Sequence, residues 1–343
     1  QSGLSQGVDL VEIDNGRLKF AVLPTRGMGI WRAWAAGHEL GWKSPVRGPV
    51  HPCYVPLAEA TGLGWLNGFD ELMCRCGLES NGAPGFDDRG ILQYPLHGRI
   101  ANRPAHRLDA VVDDVAGTIS LRGIVEETRF HFCKLRLHTT YTTQFGSSRV
   151  DWHDDVENLG GSPTDIQMLY HTNIGQPQLD AGSKLLVPFS QVAPGDIPTV
   201  ETGDSDWQTY AAPRAGFQQQ VFQFNLLGDD AGQTLVLLKN AAVSSAVRLD
   251  FNIRQLPCFT LWRNLVAEAD GYVTGLEPGT NFPNPRSVEQ KKGRVVQLQP
   301  SEIWQADLSL DWLLEPSRIA VAEQAVAKLQ GSCVPHRHDR IIH

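Results

Sequence analysis

The chain has 343 residues, 41% of them hydrophobic, and a formal net charge of −8. That length and apolar fraction allow a large buried core. Charges of both signs are scattered, and the acidic balance excludes nucleic acid as the main partner, because phosphate binding needs a basic face; no run of about 18 or more apolar residues offers a membrane-spanning helix.

From the first residues onward, short runs that alternate or are wholly apolar predict strands, at 8–13, 17–23 and 29–35, with Asp14-Asn15-Gly16 as a turn between the first two. A segment rich in Gly, Pro and Asn then runs from about 44 to 96 without strand character. Loops of that length inside a compact domain are usually functional or form lids. It carries WLNGFDELMCRCGLESNG and leads into YPLHGRIANRP, which set Arg75 among Trp65, Phe69 and Leu72 and follow His97 with Gly98, a residue that lets backbone or ligand come close. The structural readings are Arg75 paired to Glu79 or Asp70, and His97 hydrogen-bonded to backbone. The six cysteines are Cys53, Cys74, Cys76, Cys133, Cys258 and Cys333. Cys74 and Cys76 form a C-x-C pair with no second close pair to complete a zinc site, so no metal is expected and the cysteines read as small buried hydrophobes with reduced thiols.

Strands are predicted next at 105–112, 118–126, 134–143, 148–157 and 165–170, the last running into LYHTNIG, which places His171 at a strand end. A second segment without strand character covers 188–216. Further strands follow at 218–226, 233–239, 246–253, 259–265, 271–276, 293–299 and 302–312. In 259–265, Arg263 alternates with Trp262, so a regular strand turns them to opposite faces. Trp262 reads as core, and Arg263, alone in an apolar strand, reads as a substrate contact needing an anionic or hydroxyl-rich partner. The stretch GYVTGLEPGTNFPNPR, 271–286, sets Glu277 at the end of an apolar run immediately before a Pro/Gly/Asn turn. A carboxylate so placed has a rigid base and an open front, which suits a general base; a solvated strand-end Glu is the plain alternative. His171, an imidazole titrating near neutrality, complements it as an acid. Finally Ile319, Ala322, Val326 and Leu329, at helical spacing between Pro316-Ser317 and Gly331, predict a helix over about 316–329 packed on a sheet face, followed by a polar tail over 332–343. The whole predicts an all-β protein, an antiparallel sandwich or barrel with a C-terminal helix, as a single domain with its core over about 8–313. No leader is visible, which makes the cytoplasm the default compartment.

The motifs LPTRGMGIW, GFDELMCRCGLESNG, LHGRIANRP, LYHTNIG, LPCFTLWRN and GLEPGTNFPN together resemble the galactose mutarotase (aldose 1-epimerase) superfamily, most closely its DUF4432 branch, over about residues 17–313. The resemblance implies a large antiparallel β-sandwich of the supersandwich type and a small carbohydrate substrate. It matches the family's base to Glu277 in LEPGTNFP, its acid to His171 in LYHTNIG and its substrate-binding histidine to His97 in LHGR. Arg75 is similar to the arginine that contacts sugar hydroxyls. The family's hydroxyl-holding Asp has only Asp196 in a comparable order. Pro278 after Glu277, and Arg263 beside Trp262 in LWRN, depart from true mutarotases.

The implied activity is cofactor-independent mutarotation. A base takes the proton of the anomeric hydroxyl while an acid on the opposite side of the ring protonates the ring oxygen, with Glu277 ionised and His171 protonated. Trp65, Trp262 and Phe282 are candidates to stack on the sugar, and Arg75, Arg263 and His97 to bind hydroxyls. Other readings are a carbohydrate-binding protein without turnover, and a lyase or hydrolase on a modified sugar. A hydrolase usually needs two carboxylates, and the motifs supply one.

Overall fold

The computed structural model describes residues 2–195 and 206–338. Asp196 lies outside the described residues. Two large sheets carry the fold. The first has eleven strands, in the order Val11–Asp14, Lys19–Leu23, Gly29–Ala35, Met73–Cys76, Leu169–Ile174, Val273–Gly279, Cys258–Asn264, Gln220–Leu226, Phe189–Pro194 and His336–Arg337, with His38–Leu40 beside the third. The second has eight: Lys184–Leu186, Gln233–Lys239, Ala246–Asn252, Ile303–Leu313, Arg149–Asn158, Lys134–Gln144, Thr118–Thr128 and Ala105–Asp113. Every pairing is antiparallel except that of His336–Arg337 with Phe189–Pro194.

The sheets meet face to face over one continuous core. Phe20, Ile30, Met73, Tyr170, Phe259, Leu261 and Leu276 from the first sheet pack against Leu137, Tyr141, Trp152, Leu249 and Leu310 from the second. Alternation explains this layering: Arg149–Asn158 buries every second residue, and those residues face the opposite sheet. The predicted helix is present as Pro316–Gln330. Its Ile319, Ala322 and Val326 pack on Leu235, Leu237 and Leu313, on the face of the second sheet turned away from the core.

Several boundaries depart from the sequence reading. The strand expected over 165–170 is two, Thr164–Ile166 and Leu169–Ile174, so His171 lies inside a strand and not at its end. The strand holding Glu277 runs on through Gly279, so Glu277 lies inside a strand and not at its end. The segment at 44–96 contains Met73–Cys76, which occupies the middle of the large sheet, and a short hairpin of Gly85–Phe86 with Leu92–Tyr94. The second long segment opens with the strand Phe189–Pro194.

The remainder of the 44–102 stretch folds over the outer face of the large sheet, and Arg26 fastens it there. Its buried guanidinium donates from Nε to Glu71 at 2.5 Å, and also to the carbonyls of Val50 and Gly68 and the side chain of Asn102. The carbonyl of Glu71 in turn accepts from Trp42 and from Asn173 of the Leu169–Ile174 strand. A buried charge with so many partners fixes one arrangement of the cover, because breaking any part leaves an unpaired group in a low dielectric.

Candidate active site on the outer face of the large sheet

The register that pairs Leu169 with Gly279 and Thr172 with Leu276 sets His171 directly across from Glu277 on adjacent central strands. Directly opposed residues have neighbouring side chains on the same face. His171 Nε2 lies 3.2 Å from Glu277 Oε1, yet that oxygen makes no hydrogen bond. The two atoms touch without the alignment a hydrogen bond needs. On the other side of His171, Cys74 stands across from it, with Cys76 two residues on and facing the same way.

The cover supplies the rest. Trp65, Phe69 and Trp42 pack with Cys74, Cys76, Leu169 and Val273, and half-buried Leu57, Leu96 and Trp262 form the rim. The His97 ring centroid is 5.3 Å from that of His171 and 4.7 Å from that of Trp65. Phe69 lies 5.2 Å and Trp262 5.5 Å from the His171 ring. His97 reaches this position through an unusual backbone: φ is +56° at His97 and +72° at Gly98. A Cβ on Gly98 would fall 1.9 Å from the Ser80 carbonyl, so only glycine allows the loop to close on the sheet. The His97 Nδ1 is then 3.0 Å from the Asn81 carbonyl, which makes Nδ1 the protonated nitrogen and turns Nε2 away from that bond.

Thus the structure brings His171, Glu277 and His97 into one cluster and places Arg75 and Arg263 elsewhere. Arg75 alternates with Cys74 and Cys76 and points into the core between the sheets, where Asp154 binds it at 2.5 and 2.8 Å. Thr139, Tyr141 and the Met28 carbonyl take its remaining donors. Its partner is therefore neither a sugar nor Glu79 nor Asp70. Arg263 also faces inward, donating to Gln220 and to the carbonyls of Asp206 and Thr209. The assignments of Trp262 and Arg263 are exchanged: the tryptophan meets His171, with its Nε1 held by Gln219, and the arginine serves the interior. Phe282 is fully buried beneath the Arg294 guanidinium.

Burial governs the charge states. It pushes the Glu277 carboxyl up to about 8, with the charge on His97 pulling it down and Cys76 pushing it further up. Burial, and then the charge on His97, hold His171 well below the ordinary histidine range. His97 goes the other way, to about 9: burial opposes its charge, but Cys76 and the Asn81 carbonyl favour it more strongly. His97 holds its charge against an ionised Cys76: burial opposes that thiolate, but Cys74 and His97 lower the thiol to about 6. Burial thus favours a neutral His171 and a protonated Glu277, not the ionised Glu277 and protonated His171 expected from sequence. Proximity does favour an ion pair, but here desolvation outweighs it.

The His171 and Glu277 side chains are only 5% and 3% exposed, so the cover shuts them off from bulk water almost completely. Gly275 lets both side chains lie directly over its strand: a Cβ there would fall 2.5 Å from Glu277 Oε1 and 2.9 Å from His171 Cε1. Trp65 Nε1, Thr260 Oγ1 and Glu277 Oε1 are buried without hydrogen-bond partners among the described residues. Unpaired buried polar atoms are uncommon, and these three belong to Glu277 itself and to two residues bordering the His171–Glu277 pair. Cys74, Thr260 and Gly275 carry no sequence signal of their own; only the phase of their strands, once His171 and Glu277 are fixed, selects them.

Known structures share this architecture. A galactose mutarotase-like protein from Clostridium acetobutylicum superposes with a TM-score of 0.60 at 14% identity, covering 89% of this chain and 95% of its own. A galactose 1-epimerase from Lactobacillus acidophilus NCFM gives 0.57 at 12% identity, covering 92% and 98%. These likenesses define the class of the fold: a galactose mutarotase-like β-sandwich. A putative aldose 1-epimerase from Klebsiella pneumoniae subsp. pneumoniae MGH 78578 is much nearer, with a TM-score of 0.94 and 36% identity over 99% of this chain and 88% of that one. No curated protein matches the chain. The family model of DUF4432, a domain of unknown function, matches residues 5–311, and the chain belongs to that family.

Among the described residues no helix is long and apolar enough to cross a membrane.

Proposed function

We propose that the protein is an aldose 1-epimerase-type isomerase, which opens and recloses a cyclic sugar hemiacetal using Glu277 and His171 without a cofactor. The observation that carries this reading is the 3.2 Å contact between two proton-transfer groups on adjacent strands, buried among aromatic rings. The family fold and the 36% identical Klebsiella protein support it.

The geometry suits the reaction in a different way from a clamp closing on opposite sides of a ring. The anomeric hydroxyl and the ring oxygen of a hemiacetal are attached to the same carbon. Two groups in contact on one sheet face can therefore address both from one side. On opening, the hydroxyl proton passes to one group, its electron pair forms the carbonyl, and the bond from carbon to ring oxygen breaks. The ring oxygen takes a proton from the other group. Rotation about the bond between the first two carbons and reversal of these steps gives the other anomer.

This cycle needs one proton shared between the pair. A neutral His171 with a protonated Glu277 has the same proton count as a charged His171 with an ionised Glu277, and the two forms differ by one transfer across the contact. The pair titrates as a unit, so the assignment of acid and base to single residues is secondary to the count. His97, charged and close to both, binds a sugar hydroxyl in this reading and biases the pair against taking a second proton. Trp262, Trp65 and Phe69 present rings to the apolar face of the sugar. Among the described residues Glu277 is the one carboxylate in contact with His171, which disfavours paired-carboxylate hydrolysis.

Two-dimensional exchange NMR on a panel of aldoses tests the proposal. Anomer exchange above the uncatalysed rate for at least one sugar, lost in Glu277→Gln, is the expected result. Exchange that is unaccelerated for every sugar bound would make the protein a carbohydrate-binding protein instead.

A further inference from the structure

The eight-stranded sheet ends in a strand, Ala105–Asp113, that has no neighbour on its outer side among the described residues. It is nine residues long, none of them buried. Its register on Thr118–Thr128 sets Leu108 beside Gly123, Ala110 beside Leu121 and Val112 beside Ile119. Leu121 and Gly123 face the core, so Leu108, Ala110 and Val112 continue the core face past its covered area. Leu108 is 41% and Val112 61% exposed.

Proteins usually blunt a free edge with short strands, lysine, proline or an inward charge. The other edges here are blunted. Val11–Asp14 is four residues with two carboxylates, Lys184–Leu186 is three residues beginning with lysine, and His336–Arg337 is two. Ala105–Asp113 has only a bulge near its start, at Ala105/Arg107. From Arg107 onward it is long, regular and apolar on its inward face.

We propose that this edge pairs with the same edge of a second copy, antiparallel, with Ala110 of each copy on the two-fold axis. The strand is complementary to itself in that register. Arg107 meets Asp113 of the second copy, Leu108 meets Val112, and Asp109 meets Val111, and symmetry makes each of these contacts twice. Leu108 with Val112 lies on the core face, and Arg107 with Asp113 and Asp109 with Val111 lie on the opposite one, as the pleat requires. Nearby registers fail. An axis at Asp109 sets that carboxylate against itself, and one at Val111 sets Asp109 against Asp113. An axis at Leu108 sets Val112 against Pro104, which has no N–H to donate. An axis between residues would oppose inward and outward side chains. In the single chain Arg107 is held by Asp109, 2.8 Å away on the same face, and this contact orients it beside the edge.

Sedimentation equilibrium on the full chain over a concentration series tests the pairing. The expected species has twice the 37.8 kDa chain mass. Arg107→Asp places like charges opposite each other and should weaken association about tenfold or more. Combining Arg107→Asp with Asp113→Arg should restore it. Val112→Lys, on the core face, should also dissociate the pair. These positions are solvent-exposed in the single chain, so circular dichroism should be unchanged. A monomer at every concentration overturns the proposal, as does a dimer indifferent to both single substitutions, or a charge exchange that fails to recover association.

Discussion

Trp262 and Arg263 are neighbours in the chain and belong to opposite sides of a sheet: the indole stands 5.5 Å from His171, and the guanidinium lies between the layers against Gln220 and the Tyr210 ring. Their substitutions should therefore separate function from stability. Trp262→Ala should raise the KM for sugar about tenfold with little change in melting temperature, since a ring at the rim contributes mainly to ligand contact. Arg263→Ala should lower stability by about 2–4 kcal/mol, read by denaturant titration, while folded protein keeps its relative preference between neutral and anionic sugars. A selective loss of anionic sugars in Arg263→Ala would contradict the inward placement.

Glu277→Gln should slow anomer exchange by about 10²- to 10⁴-fold, the usual contribution of a general acid–base group. The same variant should be more stable at pH 7–8. The folded chain keeps the Glu277 proton up to about pH 8, whereas the unfolded chain loses it near pH 4. Between those values the folded state binds more protons, so this group's contribution to stability falls as pH rises. Gln removes that penalty, and thermal melts across the range should show a shallower slope.

The pH profile of exchange follows from the shared proton. Activity should hold through neutrality and decline above about pH 8 as Glu277 loses its proton. The acid limb should lie well below 6.5, where a second proton reaches His171. An alkaline limb unchanged in Glu277→Gln would assign it to another group, such as His97.

Gly275→Ala should abolish exchange while the chain still folds, because the added methyl collides with Glu277 and His171 and pushes the pair apart. Saturation-transfer NMR should show sugar binding lost together with turnover.

How much of this was legible in the sequence follows from what alternation can encode. The sandwich and the helix were legible because most strands alternate cleanly and the helix carries its own period. Glu277 and His171 were singled out by their placement beside turns and then by motif resemblance, but the strand around Glu277 was cut short because Pro278 and Gly279 read as a turn. Met73–Cys76 was hidden because all four of its residues are buried, one of them an arginine, so it shows no alternation. The one signal for the true partner of Arg75 was Asp154, which shares the inward phase of its strand with Val150, Trp152 and Val156. For Trp262 and Arg263 the pattern declares opposite faces without declaring which face is which. The charge states were not legible at all, since they depend on depth within the folded chain.

Arg75 gives the strand behind Cys74 and Cys76 a hard backing. Its side chain is keyed into the far layer through Asp154, to which the Tyr170 hydroxyl also donates at 2.8 Å, one residue before His171. Two adjoining strands beneath the candidate site are thus bolted to a single carboxylate in the opposite layer. A lesion at Asp154 would loosen the candidate site from underneath, although Asp154 itself lies wholly in the opposite layer.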